Sequence, residues 1–344
     1  MRYKRFGNTD WQVSVITAGT IHMGQGDFTE DKKRESIKAL HAMLDSGVNF
    51  IDTAPTYGKT VSEQTVGEAI KGIDRSKFYL STKYGNNRMA EGIRDHSYKT
   101  IMFQIDDSLK RMGTDYIDLY IQHWPQFPNQ PEITPYEETM RAIEELKKAG
   151  KIRAFAVSNH AIDEMEGLLA YGQISAIQPF YNILGREWEP IMQWCAERDI
   201  ASMTYGSMNG GMLAGSYREY PAHILDTDIR VRLYRCFREP GYTQSREVFK
   251  IMDEIAEAHK VGVAEVAINW SVQQSAVHTA IIGSGSVKHA LENCRAADWE
   301  LTQEELTRLT AAADKYWPVQ QGVNVGPRPG YEAKDMKEFG DQIQ

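Results

Sequence analysis

The chain has 344 residues, 42% of them hydrophobic and 25% charged, an ordinary globular composition with ample material for a large core. A net charge of -8 argues against a general nucleic-acid or membrane-surface binder, since no basic face is offered to phosphates, and any anionic ligand must be met by local groups. Three scattered cysteines, Cys195, Cys236 and Cys294, have no metal-like spacing. With no signal peptide and no apolar run of membrane-spanning length, the expected home is the reducing cytoplasm.

Residues 1–13 alternate and turn at Gly7-Asn8, which predicts a small hairpin. Val15–Thr20 is the first apolar strand, followed by a Gly-rich loop over 21–28. Ile37, Leu40 and Leu44 then recur on one face of a helix that Gly47 closes. The next strand, Val48–Asp52, ends on an acid, and Tyr57 follows across a proline turn. A helix near 62–71 leads to strand 78–83, which ends on Lys83. A helix over 97–112 leads to strand 117–122, with His123 at its end. Helix 136–149, strand 153–158, helix 161–170, strand 176–179, helix 189–198 and strand 200–205 continue the alternation. The stretch 206–244 is rich in Gly and Tyr and has no clear period. Helices near 245–260 and 263–274, the strand 279–283 and helices from 287 and over 302–316 complete the regular part.

After the hairpin, eight apolar strands each precede a helix, and strict strand–helix alternation gives a parallel sheet that most simply closes into a (β/α)8 TIM barrel. An open doubly wound sheet lacks the G-x-G-x-x-G turn expected after its first strand. The whole of 1–344 reads as one barrel domain, with 317–344, rich in Gly, Pro and charge, as a C-terminal extension forming a tail or lid.

In such a barrel, site residues come from strand C-termini and the loops that follow. Here these are Thr20 and His22, Asp52 with Tyr57, Lys83, His123, Ser158-Asn159, Gln178, Tyr205 and Gly283-Ser284. The set is polar but offers no metal cage, because a hard cation wants several carboxylates and zinc a second well-placed His or a Cys. It suits proton transfer coupled to hydride transfer. A buried ammonium beside a phenol is expected to lower the phenol's pKa, with Asp52 holding Lys83 charged and His123 donating to a substrate oxygen or steering the proton. The plainer readings are an Asp that caps a turn, a Gln178 that satisfies backbone groups and a Ser158-Asn159 pair that caps the next helix.

Asp52, Tyr57, Lys83 and His123, in this order at the ends of strands two, three and four, resemble the tetrad of the aldo-keto reductase superfamily. The resemblance extends to Gly47-Val-Asn-Phe-Ile-Asp-Thr-Ala54, to Leu109-Lys-Arg-Met-Gly-Thr-Asp-Tyr-Ile-Asp-Leu-Tyr120 and to Gly150-Lys-Ile-Arg153, and runs from about residue 3 to 316. It implies a carbonyl reductase with Tyr57 as proton donor, and a nicotinamide cofactor across the barrel mouth, NADP(H) ahead of NAD(H). Ser158, Asn159 and Gln178 would then hold the carboxamide, and Tyr205 would stack on the nicotinamide ring. Gly206, Ser207 and Met208 would wrap the pyrophosphate. Gly283, Ser284, Gly285 and Ser286, with His289, Glu292 and Asn293, would take the adenosine end.

The family often places Arg or Lys in that last loop to meet a 2′-phosphate. This chain has Gly285 and His289 there, with Lys288 as the nearest firm positive charge, so the choice of dinucleotide stays open. Met23, Phe28, Tyr84 and Trp124 are expected to wall a pocket for an aldehyde or ketone. Asn86, Asn87 and Arg88 keep sugars in view. The rival reading is an NADP-binding, redox-sensing regulatory subunit resembling potassium-channel β-subunits. A metal-dependent barrel hydrolase or isomerase stands third. Neither a nucleic acid nor a membrane is expected as a partner, and a homo-oligomer stays open.

Overall fold

Short apolar runs between amphipathic helices fold here as alternating strand and helix, because each strand can be buried on both faces only inside a closed parallel sheet. The structure is a computed structural model that describes residues 1–86, 93–219, 230–231, 234–283, 285–317 and 319. A hairpin of β1 (Tyr3–Arg5) and β2 (Gln12–Ser14) comes first. The barrel strands follow: β3 (Ile16–Gly19), β4 (Phe50–Asp52), β5 (Tyr79–Tyr84), β6 (Ile117–Gln122), β7 (Ile152–Ser158), β8 (Ala176–Gln178), β9 (Ala201–Thr204) and β10 (Thr279–Gly283). They pair in parallel in the closed order β10-β3-β4-β5-β6-β7-β8-β9, so chain order becomes spatial order and β10 lies between β9 and β3.

The helices between the strands are α1 (Glu30–Asp45), α2 (Val61–Ile70), α3 (Tyr98–Met112), α4 (Tyr136–Lys148), α5 (Ile162–Leu169) and α6 (Glu189–Ala196). After β9 come α7 (Gly241–His259) and α8 (Val263–Gln273), and after β10 come α9 (Val287–Arg295) and α10 (Gln303–Asp314). Several carry their own start and stop signals. Thr29 and Ser97 accept first-turn N–H groups of α1 and α3, Thr302 and Glu305 form a capping box on α10, and Gly113 ends α3 at φ 64°.

Two apolar layers result. Phe50, Leu119, Ile121, Ala154, Ala156, Ala176, Ala201 and Met203 fill the barrel, joined by Phe6, Trp11 and Val13 of the hairpin. The hairpin therefore plugs one end, and the strand C-termini are left at the other. A larger layer, which includes Ile51, Leu80, Tyr84 and Tyr120, separates the barrel from the helices.

Within the 206–244 stretch the described residues form two short 3-10 turns, Asn209–Ala214 and Arg235–Phe237, and α7 begins at Gly241, before the expected 245. Residues 220–229 and 232–233, Asn87 and Arg88, Ser284 and the extension beyond 319 lie outside the described residues.

Candidate active site

Strand alternation decides which side chains reach the barrel axis. On β5, Ser81 and Lys83 reach Asp52 inside the barrel, while Leu80 and Tyr84 belong to the outer layer. Tyr84 is buried there, donating to Gln122 Oε1 at 2.9 Å with its ring 4.8 Å from that of Tyr120. The expectation that Tyr84 walls a substrate pocket is therefore corrected, because one residue past Lys83 on an extended strand must face the opposite side.

Lys83 Nζ donates to Asp52 Oδ2 at 2.7 Å and to the Thr53 carbonyl at 2.8 Å. The other carboxylate oxygen of Asp52 accepts Ser81 Oγ at 2.8 Å and Gln178 Nε2 at 3.0 Å. Lys83 has no exposed surface and Asp52 only 2%. A buried ion pair depends on further hydrogen bonds to its charged groups, and here each partner has them. Burial works against the ammonium, yet Asp52 and then Tyr57 outweigh it and raise the lysine pKa, so Lys83 stays charged.

The half-buried ring of Tyr57 has its centroid 4.8 Å from Lys83 Nζ and 6.0 Å from the His123 ring, which it meets edge-on at 79°. Burial raises its phenol pKa above the ordinary value, Lys83 pulls the other way without cancelling it, and Asp52 adds to the rise. The expected lowering of this pKa is thus reversed: desolvation of the phenolate exceeds the attraction of one nearby ammonium already shared with a carboxylate. The phenol remains protonated at neutral pH. His123 is driven well below the ordinary histidine value by burial first, then by Lys83 and Arg94, and is a neutral imidazole.

Around this centre, Asn159 takes φ 62°, unusual for a side-chain-bearing residue, and its Oδ1 accepts the Tyr205 hydroxyl at 2.8 Å. Its Nδ2 donates to Ser158 Oγ at 2.9 Å, and Ser158 Oγ donates to the Gln178 carbonyl at 2.8 Å. These bonds tie the ends of β7, β8 and β9 into one unit. Ala161 is the N-cap of α5, with Glu164 accepting from its N–H, so Ser158 and Asn159 do not serve as its caps.

At the end of β9, Gly206 takes φ 75°, and a Cβ there would lie 2.3 Å from the Phe180 ring, so only glycine admits this turn beside that ring. Ser207 is buried, its Oγ without a hydrogen-bond partner, and Met208 is half-buried. His22, after β3, also has both ring nitrogens buried and unpartnered, and burial lowers its pKa to about 4. His22 follows β3 and Ser207 follows β9, the two strands that neighbour β10. Gly283 stands at the end of β10, where a Cβ would be 3.8 Å from His22 Nδ1.

Beyond it, Ser286 Oγ caps α9 by accepting the His289 N–H at 3.3 Å, and Asn293 Nδ2 donates to the Gly283 carbonyl at 3.4 Å. The carboxylate of Glu292 lies 3.9 Å from the ammonium of Lys288, and His289 is exposed.

Trp124 is buried beside His123, their rings 6.4 Å apart, and Met23 is buried with Phe28 half-buried. Sequence reasoning missed Arg94, whose guanidinium lies 5.1 Å from the Trp124 ring and 3.8 Å from Phe127 and donates to the Pro125 carbonyl at 2.8 Å. No periodicity marks a loop arginine that packs against rings. Ser81 was also missed, although its spacing of two from Lys83 on a strand signals a shared face.

The Aldo/keto reductase family model matches residues 15–314. The aldo-keto reductase YhdN of Bacillus subtilis (strain 168) is 32% identical over 312 residues, covering 89% of this chain and 91% of its own. The NADH-specific methylglyoxal reductase of Escherichia coli (strain K12) is 28% identical over 327 residues, covering 90% and 97%. The crystal structure of an aldo/keto reductase from Klebsiella pneumoniae in complex with NADP and acetate superposes with a TM-score of 0.73 at 26% identity, covering 94% of this chain and 98% of that one.

Proposed function

Because this chain belongs to the aldo/keto reductase family, we propose that its barrel mouth reduces a small aldehyde or ketone, with Tyr57 as the proton donor and NADP(H) ahead of NAD(H) as cofactor. The observation that carries the reading is the buried Lys83–Asp52 pair beneath a protonated Tyr57 and beside a neutral His123. The named activity of the Escherichia coli relative, methylglyoxal reduction, supports a small aldehyde as the substrate class.

A nicotinamide dinucleotide suits the residues around the mouth. The Ser207 hydroxyl and the His22 ring nitrogens are buried polar atoms that lack partners, a state that costs free energy unless a ligand supplies them. Gly283, where a Cβ would meet nothing nearer than 3.8 Å, leaves room for close backbone approach. In this reading Ser158, Asn159 and Gln178 hold the carboxamide, with Gln178 also bracing Asp52. Tyr205 would stack on the nicotinamide ring, Gly206, Ser207 and Met208 would hold the pyrophosphate, and Gly283, Gly285 and Ser286 with His289, Glu292 and Asn293 would receive the adenosine end. The reduced nicotinamide supplies a hydride to the carbonyl carbon.

The chain's own groups handle the oxygen. His123, being neutral, offers an N–H without competing for the proton. Tyr57 donates its proton as negative charge develops on the carbonyl oxygen, which offsets the phenol's raised pKa. Lys83 then stabilises the phenolate left behind, and Asp52, held by Ser81 and Gln178, keeps Lys83 charged and in position. Trp124, Met23 and Phe28 wall the substrate side.

The single-domain reading of 1–344, with 317–344 as tail or lid, and a cytoplasmic setting belong to the same proposal; the three cysteines are free and buried, and among the described residues no helix is long and apolar enough to cross a membrane. Incubating the protein with NADPH or NADH and methylglyoxal, larger aldehydes, ketones and sugars tests the reading. Saturable multiple turnover is expected. Tight cofactor binding with a single turnover would favour a redox-sensing subunit, which the reductase names of the relatives do not favour.

A further inference from the structure

The carboxylate of Glu35, in the second turn of α1, accepts the backbone N–H of Val287 at 3.2 Å. Val287 is the first residue of α9, and a second donor at this helix start, the His289 N–H, is taken by Ser286 Oγ. A helix start gathers N–H groups and the positive end of the helix dipole, the natural seat of an anion. In this chain one of those N–H groups already holds an anion, and it comes from the protein.

The cations nearby do little to reverse that sign. Lys288 is exposed with its ammonium 3.9 Å from the carboxylate of Glu292, and His289 is exposed. On α1 itself, Arg34 is paired with Asp31 and Lys33 with Glu68, and Lys38 is exposed. A 2′-phosphate brings close to two negative charges to this end of the groove. A 2′-hydroxyl brings none, and has a proton to donate to a carboxylate.

We infer that Glu35 is the residue with which this chain narrows its preference for NADP(H) over NAD(H), by opposing the 2′-phosphate of NADP while tolerating the 2′-hydroxyl of NAD. The inference rests on the proposed seating of adenosine at Gly283 and along 285–293. It makes Glu35 a specificity-determining residue contributed by a helix far upstream, 252 positions before the N–H it meets.

Glu35→Gln keeps an oxygen to accept the Val287 N–H and removes only the charge, and Glu35→Ala serves as a second variant without the amide. Wild type and variants are titrated by calorimetry with NADP+, NAD+, 2′,5′-ADP and 5′-ADP. Loss of one unit charge from Glu35 should tighten NADP+ and 2′,5′-ADP by about tenfold, with NAD+ and 5′-ADP shifting by less than about threefold. An equal change for all four ligands, or none, overturns the role of Glu35 and leaves the cofactor reading standing. Failure of the wild type to bind either dinucleotide overturns both.

Discussion

The ammonium of Lys83 lies 2.7 Å from the carboxylate of Asp52, and both are withdrawn from solvent at the C-terminal mouth of the barrel. The ammonium has the Thr53 carbonyl as a second acceptor, and the carboxylate has Ser81 and Gln178 as further donors. A pair so enclosed fixes a positive charge beside Tyr57 whatever the external pH does in the neutral range.

Replacing Lys83 with Met removes that charge and leaves Asp52 as a buried carboxylate without its counter-ion, a change that typically costs about 3–5 kcal/mol of stability. The phenolate formed on proton donation also loses its neighbour. Turnover should fall and the pH profile of carbonyl reduction should change shape, both measurable by steady-state kinetics from pH 6 to 9. An unaltered profile at full activity would reduce Lys83 to a structural role.

Tyr57→Phe keeps the ring beside Lys83 and His123 but has no proton to give. General acid catalysis contributes about 10²–10⁴-fold, so turnover should fall by that order while dinucleotide affinity stays close to wild type. Wild-type rates with an aldehyde in this variant would remove Tyr57 from the role of acid.

Two further histidines give a stability prediction. His96 and His160 are both buried and share the side-chain nitrogen of Gln122, at 3.1 Å and 2.8 Å. Burial lowers each pKa to about 3. A histidine whose folded pKa lies below its unfolded value of about 6.5 binds its proton more readily in the unfolded chain, so its contribution is present above about pH 6.5 and is lost as pH falls toward 3. Urea unfolding should show stability dropping between pH 6.5 and 5 by on the order of 2 kcal/mol per histidine. His160→Gln should flatten that slope; an unchanged slope would show that this residue does not carry it.

The exposed His289 offers a gain of function. His289→Arg places a fixed, bidentate cation beside the proposed 2′-phosphate seat, and a charge-assisted hydrogen bond of about 1.5–3 kcal/mol corresponds to roughly a tenfold or greater gain in NADP+ affinity. NAD+ should barely respond. Unchanged NADP+ affinity in His289→Arg would show that the 2′-phosphate seat lies beyond the reach of this side chain.

The order of strands and helices, and the identity of the strand-end residues, were legible in the amino-acid pattern alone. Period-two and period-3.6 apolar patterns report local burial directly, and eight successive strand–helix units leave closure as the simplest way to bury them. That is why Asp52, Lys83 and His123 could be named from their positions. Which neighbours they meet, and how strongly, followed from the closed barrel and from nothing local. Tyr84 follows Lys83 yet faces the helices, because strand pleating turns adjacent side chains to opposite sides. The phenol of Tyr57 is raised rather than lowered in pKa, because desolvation depends on everything packed around it and no motif records that. Arg94 against Trp124, and Glu35 on the Val287 N–H, join elements far apart in the chain, and such contacts exist only once the barrel has closed.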